Sequence, residues 1–101
     1  MRKLVYFRAD WCGVCHEKSP VVEEIAGSLG LPLEVLDWES EEGQTKAAGL
    51  RVKTVPTLAL VDGERVPFRL VGAMITPENV THFVSLHRPA AGAEGAEEAS
   101  A

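Results

Sequence analysis

An α/β domain is the architecture this sequence predicts: a four-stranded mixed sheet with helices on both faces, ordered β-α-β-α-β-β-α. Three observations carry that expectation. Runs of β-branched and aromatic residues alternate with helical periodicity through the first half of the chain, the pattern of a right-handed βαβ unit with parallel strands. Asp62-Gly63, set between two apolar runs, is a strong hairpin signal, and a hairpin adds antiparallel strands. The 101 residues are 46% hydrophobic and 25% charged, which suits one small globular domain with no room for a second.

The elements follow in order. Residues 3–8, Lys-Leu-Val-Tyr-Phe-Arg, read as a buried strand because β-branched and aromatic side chains pack well on a pleated surface. After residues 9–13 a helical pattern places Cys15, Val22, Ile25, Ala26 and Leu29 on one face. Gly30 is positioned to stop that helix, and Pro20 inside it removes one backbone hydrogen bond and predicts a kink. Pro32 opens a second strand, Leu33 to Trp38. Ser40-Glu41-Glu42-Gly43-Gln44 has the form of an N-capped helix start, with Gly49 as the stop. Thr57 to Val61 forms a third strand, and Arg65 to Val71 returns from the hairpin as the fourth. Thr76 is an N-cap followed by proline at the first helical position; Val80, Phe83 and Val84 then make an amphipathic helix to about His87. From Arg88 to Ala101 the chain turns to Ala, Gly and Glu. Nothing there fills a core, so a domain over residues 1–87 is expected to carry a disordered acidic tail, residues 88–101.

Charge and hydropathy narrow the function classes. The net charge is −5, and the cations are scattered (Arg2, Lys3, Arg8, Lys18, Lys46, Arg51, Lys53, Arg65, Arg69). Phosphate binding needs clustered cations that release counterions, so nucleic acid is not expected as a main partner. No run approaches the ~18 apolar residues that cross a bilayer, so no membrane partner is expected. The basic start is broken at Arg8 and Asp10, too soon for a signal segment, and a cytoplasmic address follows as the expectation. Two cysteines are too few for a secreted disulfide scaffold. Their closeness, Cys12 and Cys15, points to chemistry.

A Cys-x-x-Cys at a strand-to-helix junction places the first sulfur at the helix N-terminus. Unpaired backbone N–H groups and the positive end of the dipole stabilise a thiolate there. The second sulfur lies one turn on, within reach of a mixed disulfide formed at the first. Thiol–disulfide exchange needs that pairing of an exposed nucleophile with a shielded resolving thiol. Other readings are weaker. Cys12-x-x-Cys15-His16 matches the c-type haem attachment pattern, which would call for export. Cys12, Cys15, His82 and His87 could form a Cys2His2 zinc site, but most of the chain separates the pairs. Two inert buried cysteines would require Cys12 to be packed away, whereas Trp11-Cys12-Gly13 reads as an exposed turn. His16, His82, His87 and the acidic run Glu39, Glu41, Glu42 are most simply surface residues.

The stretch from Val5 to Pro20, VYFRADWCGVCHEKSP, resembles the active-site region of the thioredoxin family. The Trp before the first Cys and the Pro five residues after the second both match. Val52-Lys53-Thr54-Val55-Pro56-Thr57 resembles the family's Val/Ile-Pro-Thr segment, and Gly72-Ala73 its loop beside the active site. The similarity spans about residues 3–87. It implies a thioredoxin-like fold, with Cys12 as attacking thiolate, Cys15 as resolving thiol and Pro56 as a cis-proline. It also implies substrate contacts from Trp11, Gly13, Val14, Val55, Pro56, Gly72 and Ala73. Four departures stand out. The match begins at the strand leading into the active site, leaving a four-stranded core also typical of glutaredoxins. Tyr6 stands where thioredoxins usually have a buried Asp that assists the resolving cysteine, and a phenol titrating near ~10 is a poor base at neutral pH. Val14 replaces a usual Pro, and Arg8 a usual Trp; an Arg8 head turned towards Cys12 would favour its thiolate.

The function expected is therefore a thiol–disulfide oxidoreductase that reduces protein disulfides, without metal or bound cofactor. It would be a monomer recharged by thioredoxin reductase or by glutathione. A glutaredoxin-like, glutathione-using reductase is the nearest alternative, although Gly72-Ala73-Met74 lacks the Gly-Gly-Asp type segment that holds glutathione. A non-catalytic binding module on the same fold is a third.

Overall fold

The computed structural model describes residues 1–87, and the expected tail, residues 88–101, lies outside the described residues. Strands β1 (Arg2–Arg8), β2 (Leu33–Asp37), β3 (Thr57–Asp62) and β4 (Arg65–Val71) form one sheet. Their order is β2-β1-β3-β4, with β1–β2 parallel and both other pairs antiparallel. The mixed four-stranded sheet is the one expected. Helices α1 (Gly13–Leu29), α2 (Glu41–Leu50) and α3 (Pro77–Leu86) cover it, and a short 3-10 turn, Gly72–Met74, follows β4. Among the described residues no helix is long and apolar enough to cross a membrane.

Period-2 alternation in β1 divides the core in two. Leu4 and Tyr6 point into a cluster with Val22, Ile25 and Ala26 of α1, Val80 and Val84 of α3, and Leu58, Leu60 and Phe68 of the sheet. Val5 and Phe7 point to the other face, where Ala47 of α2 and Val52 close a smaller cluster with Leu36 and Val61. A strand buried on both faces reads as a continuous apolar run, as Leu4 to Phe7 does. α1 continues through Pro20, which lies on its exposed side, so the lost hydrogen bond falls where water replaces it.

Three strand ends shift by one residue, with β1 beginning at Arg2, β2 ending at Asp37 and β3 at Asp62; the end of α2 differs for a reason that packing shows. α2 does not stop at Gly49 but at Leu50, and the left-handed residue that ends it is Arg51, at φ 62°. Val52 is the cause. It is 6% exposed, and its N–H donates to the Ala47 carbonyl at 2.8 Å while the N–H of Arg51 donates to Ala48. Burying Val52 beneath α2 sets where the chain must turn, and Arg51 takes the conformation that the turn demands. α1 ends in the same geometry with Gly30, at φ 68°, in the left-handed position.

Candidate active site

Strand register explains why three motifs distant in sequence meet. Phe7 pairs with Thr57, and Thr57 pairs with Val71. The loop leaving β1, the loop entering β3 and the turn leaving β4 therefore lie side by side. The N–H of Gly72 donates to the Pro56 carbonyl at 3.1 Å, tying the last two together. The Val55–Pro56 peptide bond is cis.

Both cysteines are free thiols. Cys12 is the N-cap of α1, and its Sγ accepts from the backbone N–H of Cys15 at 3.1 Å. The exposed turn that the sequence suggests at this point belongs to its neighbours. Trp11 is 66% exposed and Gly13 is exposed, but Cys12 itself is only 9% exposed. It clusters with Ala9 and Cys15, and Val55 and Trp38 pack against that cluster, so it does not stand in open solvent. Cys15 has no exposure at all. Burial, then hydrogen bonding with Cys12, raises its pKa to about 11; the Ala9 backbone and Arg8 oppose that shift.

Behind Cys15, Tyr6 is 1% exposed. Its hydroxyl donates to the Cys15 carbonyl at 3.1 Å and lies 3.3 Å from Ser19 Oγ, which donates to the same carbonyl at 2.8 Å. Two hydroxyls thus hold the backbone that carries the resolving sulfur. Burial pushes the phenol above its ordinary value, so it does not accept a proton near neutral pH. Arg8 is engaged by a carboxylate: its guanidinium pairs with Asp10 at 2.6 Å and holds that carboxyl below its usual range. His16 is exposed, with Nε2 2.8 Å from the Asp10 carbonyl. His82 and His87 lie against Phe83 and Phe68 at the far helix, away from the cysteine pair. Among the described residues, no three His, Cys, Asp or Glu side chains gather as a metal site.

Of the residues expected to contact a substrate, Trp11, Gly13, Val14 and Ala73 are exposed, and Val55 and Gly72 are half-buried. Pro56, which immediately precedes β3, is buried. Three participants escape sequence reasoning. Trp38 packs on the cysteines and edge-on to Phe7. Glu39 accepts the Trp11 indole N–H at 2.7 Å and fixes that ring. Ser19 supports Cys15 as described. A signal for the first two existed: sites in α/β sheets gather at the carboxyl ends of parallel strands, and Trp38-Glu39 immediately follows β2, beside the end of β1.

Residues 1–85 match the thioredoxin family profile. Thioredoxin of Staphylococcus haemolyticus is 37% identical over 86 residues, covering 84% of this chain and 81% of that one. Thioredoxin 2 of Chlorobaculum tepidum is 32% identical over 77 residues, 76% of this chain and 69% of that one. The structure of thioredoxin 1 from the thermophilic eubacterium Thermosipho africanus is similar with a TM-score of 0.69 at 28% identity, covering 83% of this chain and 91% of that one.

Proposed function

Since the chain belongs to the thioredoxin family and is a thiol–disulfide oxidoreductase, we propose that Cys12 is its attacking sulfur and Cys15 its resolving one. The observation that carries the assignment is the N-cap: Cys12 Sγ sits at the start of α1, accepting the Cys15 N–H, with Cys15 fully enclosed behind it. A thiolate there meets the unpaired N–H groups and the positive end of the helix. It attacks one sulfur of a substrate disulfide, forming the Cys12–substrate bond as the substrate's S–S bond breaks and its other sulfur leaves as thiolate. Cys15 then loses its proton to solvent and attacks Cys12 Sγ. That step closes the Cys12–Cys15 disulfide and releases the second substrate thiol, so the substrate gains the two electrons that the dithiol gives up.

Trp11, Gly13, Val14, Val55, Gly72 and Ala73 form the surface that receives an extended peptide, with Val55 offering backbone hydrogen bonds. Pro56 shapes that loop from below. We assign the protein to cytoplasmic electron transport and redox homeostasis as a monomer, recharged by thioredoxin reductase or glutathione. Reduction of a protein disulfide is followed with NADPH and thioredoxin reductase as donor, and in parallel with glutathione. Turnover with one donor identifies it, and Cys15→Ser is expected to accumulate a mixed disulfide at Cys12. Accumulation at residue 15 in Cys12→Ser instead reverses the assignment.

A further inference from the structure

Two neighbouring cations, Arg51 and Lys53, share a cavity with a third that is distant in sequence, Arg69. Arg51, Lys53 and Arg69, all exposed, line an open cavity of about 660 Å³ with Ala47, Ala48 and Val52, at the C-terminal end of α2 beside β4. Among the described residues none of the three makes an ion pair; the pairs present involve Met1, Lys3, Arg8 and Lys46. In a chain of net charge −5, this is a local reversal of sign with no carboxylate in its lining.

The needs of the helix do not account for it. The negative end of α2 favours a nearby cation, and Arg69 supplies it by donating from Nε to the Leu50 carbonyl at 2.7 Å. Arg51 and Lys53 are surplus to that need. Arg51 also occupies the left-handed position at φ 62°, which costs an L-residue about 1 kcal/mol and costs glycine nothing. The turn fixes its backbone, and its side chain is left exposed in the lining of the cavity.

Of the residues lining the cavity, Lys53 lies nearest in the chain to the loop beside the cysteines. Lys53 precedes by two residues Val55, whose side chain packs on Cys12 and Cys15; two residues span at most ~7 Å. A peptide extended along Val55 advances ~3.3 Å per residue and passes Lys53 within a few residues of its own reacting cysteine. On the Trp11 side the rim is acidic instead, with Asp10 and Glu39.

We propose that this cavity docks an acidic segment of the protein substrate, with Asp or Glu two to four residues from the disulfide to be reduced. The proposal rests on the reading of Cys12 as the attacking sulfur. The test uses disulfide-linked peptides identical except for Glu, Gln or Lys at those positions. At low salt, kcat/KM is expected to favour Glu over Lys by about tenfold, the scale of a few screened surface charges. The preference should collapse near 1 M salt, where the Debye length is about 3 Å. Arg51→Gly, Lys53→Gln and Arg69→Gln together should abolish the preference. Turnover of the Gln peptide by the wild type tests the reductase reading separately.

Docking is also read without turnover, by NMR titration with the same peptides carrying Ser for Cys and with inorganic phosphate. Shifts at residues 51, 53 and 69 with the Glu peptide and not the Lys peptide support the proposal. Three outcomes overturn it: equal responses to the Glu and Lys peptides, a triple variant that keeps the preference, or a site that answers to phosphate but not to the Glu peptide.

Discussion

All three described helices open on the same hydrogen bond, made by a sulfur at α1 and by a hydroxyl oxygen at α2 and α3, and α1 and α2 show what the difference does. At α2, Ser40 Oγ accepts the N–H of Gly43 at 2.9 Å, and Glu41 and Glu42 occupy the first turn. At α1, Cys12 Sγ accepts the N–H of Cys15 at 3.1 Å, and no acidic residue stands in the first turn. Hydroxyl caps and first-turn carboxylates both stabilise a helix, so α2 begins in the way that favours folding. α1 forgoes both, and its positive end is left for the sulfur. The same local geometry serves stability in one place and anion stabilisation in the other, and residue choice alone separates them.

The sharpest way to break the comparison is to make α1 begin as α2 does. Cys12→Ser supplies a hydroxyl cap. Disulfide reduction should fall to background, while stability in a denaturant titration stays level or rises by up to about 1 kcal/mol. Loss of the fold along with activity would mean that Cys12 is structural.

The next effect concerns the second sulfur. With Cys15 raised to about 11 by burial and no carboxylate at position 6, its thiolate fraction grows roughly tenfold per pH unit below that value. Resolution of a mixed disulfide at Cys12, followed by stopped flow, should therefore accelerate steeply toward alkaline pH. Tyr6→Phe should leave the neutral-pH rate within about threefold and cost about 1 kcal/mol of stability, because the hydroxyl bonds a carbonyl rather than the sulfur. A tenfold fall would place Tyr6 in the proton transfer. The raised value has a stability consequence too. The folded state holds this proton more tightly than an unfolded thiol near 9.0, so the contribution is complete below pH 9 and is lost as pH rises through 11. The reduced protein should lose stability across that window more than the oxidised one.

Smaller effects test the two helix starts directly. A Cβ on Gly43 would collide with the Asp37 carbonyl oxygen, whereas one on Gly13 meets nothing within 4 Å. Gly43→Ala should cost about 1–3 kcal/mol or more, and Gly13→Ala should stay within about 0.5 kcal/mol; thermal melts of both variants check this. Ser40→Ala should cost about 1 kcal/mol by loss of its cap.

Where the chain declares its conformation locally, sequence reasoning succeeds. Thr76-Pro77, Asp62-Gly63 and Gly30 each set a boundary through their own backbone preferences, and the Cys-x-x-Cys pair lies at the junction expected of it. Where tertiary packing decides, it fails. Gly49 looked like a stop, but buried Val52 moved the turn to Arg51. Cys12 looked exposed because its neighbours are; Trp38 and Val55 cover it from loops distant in sequence. Arg8 read as a head that could favour the Cys12 thiolate, and Asp10, two residues away, captured it. The convergence of Lys53 with Arg69 depends on how α2 lies against β4, which no local pattern encodes.

The two sulfurs, three residues apart, are chemically unequal because one caps the N-terminus of a helix and keeps a little exposure while the other has none. Alkylation of the reduced protein by iodoacetamide, with each cysteine quantified by peptide mass spectrometry from pH 6 to 11, measures that inequality directly. Cys12 should react faster near neutral pH by about tenfold or more, with Cys15 becoming reactive only as pH approaches about 11. Equal labelling of the two near neutral pH, or Cys15 reacting first, would contradict the account.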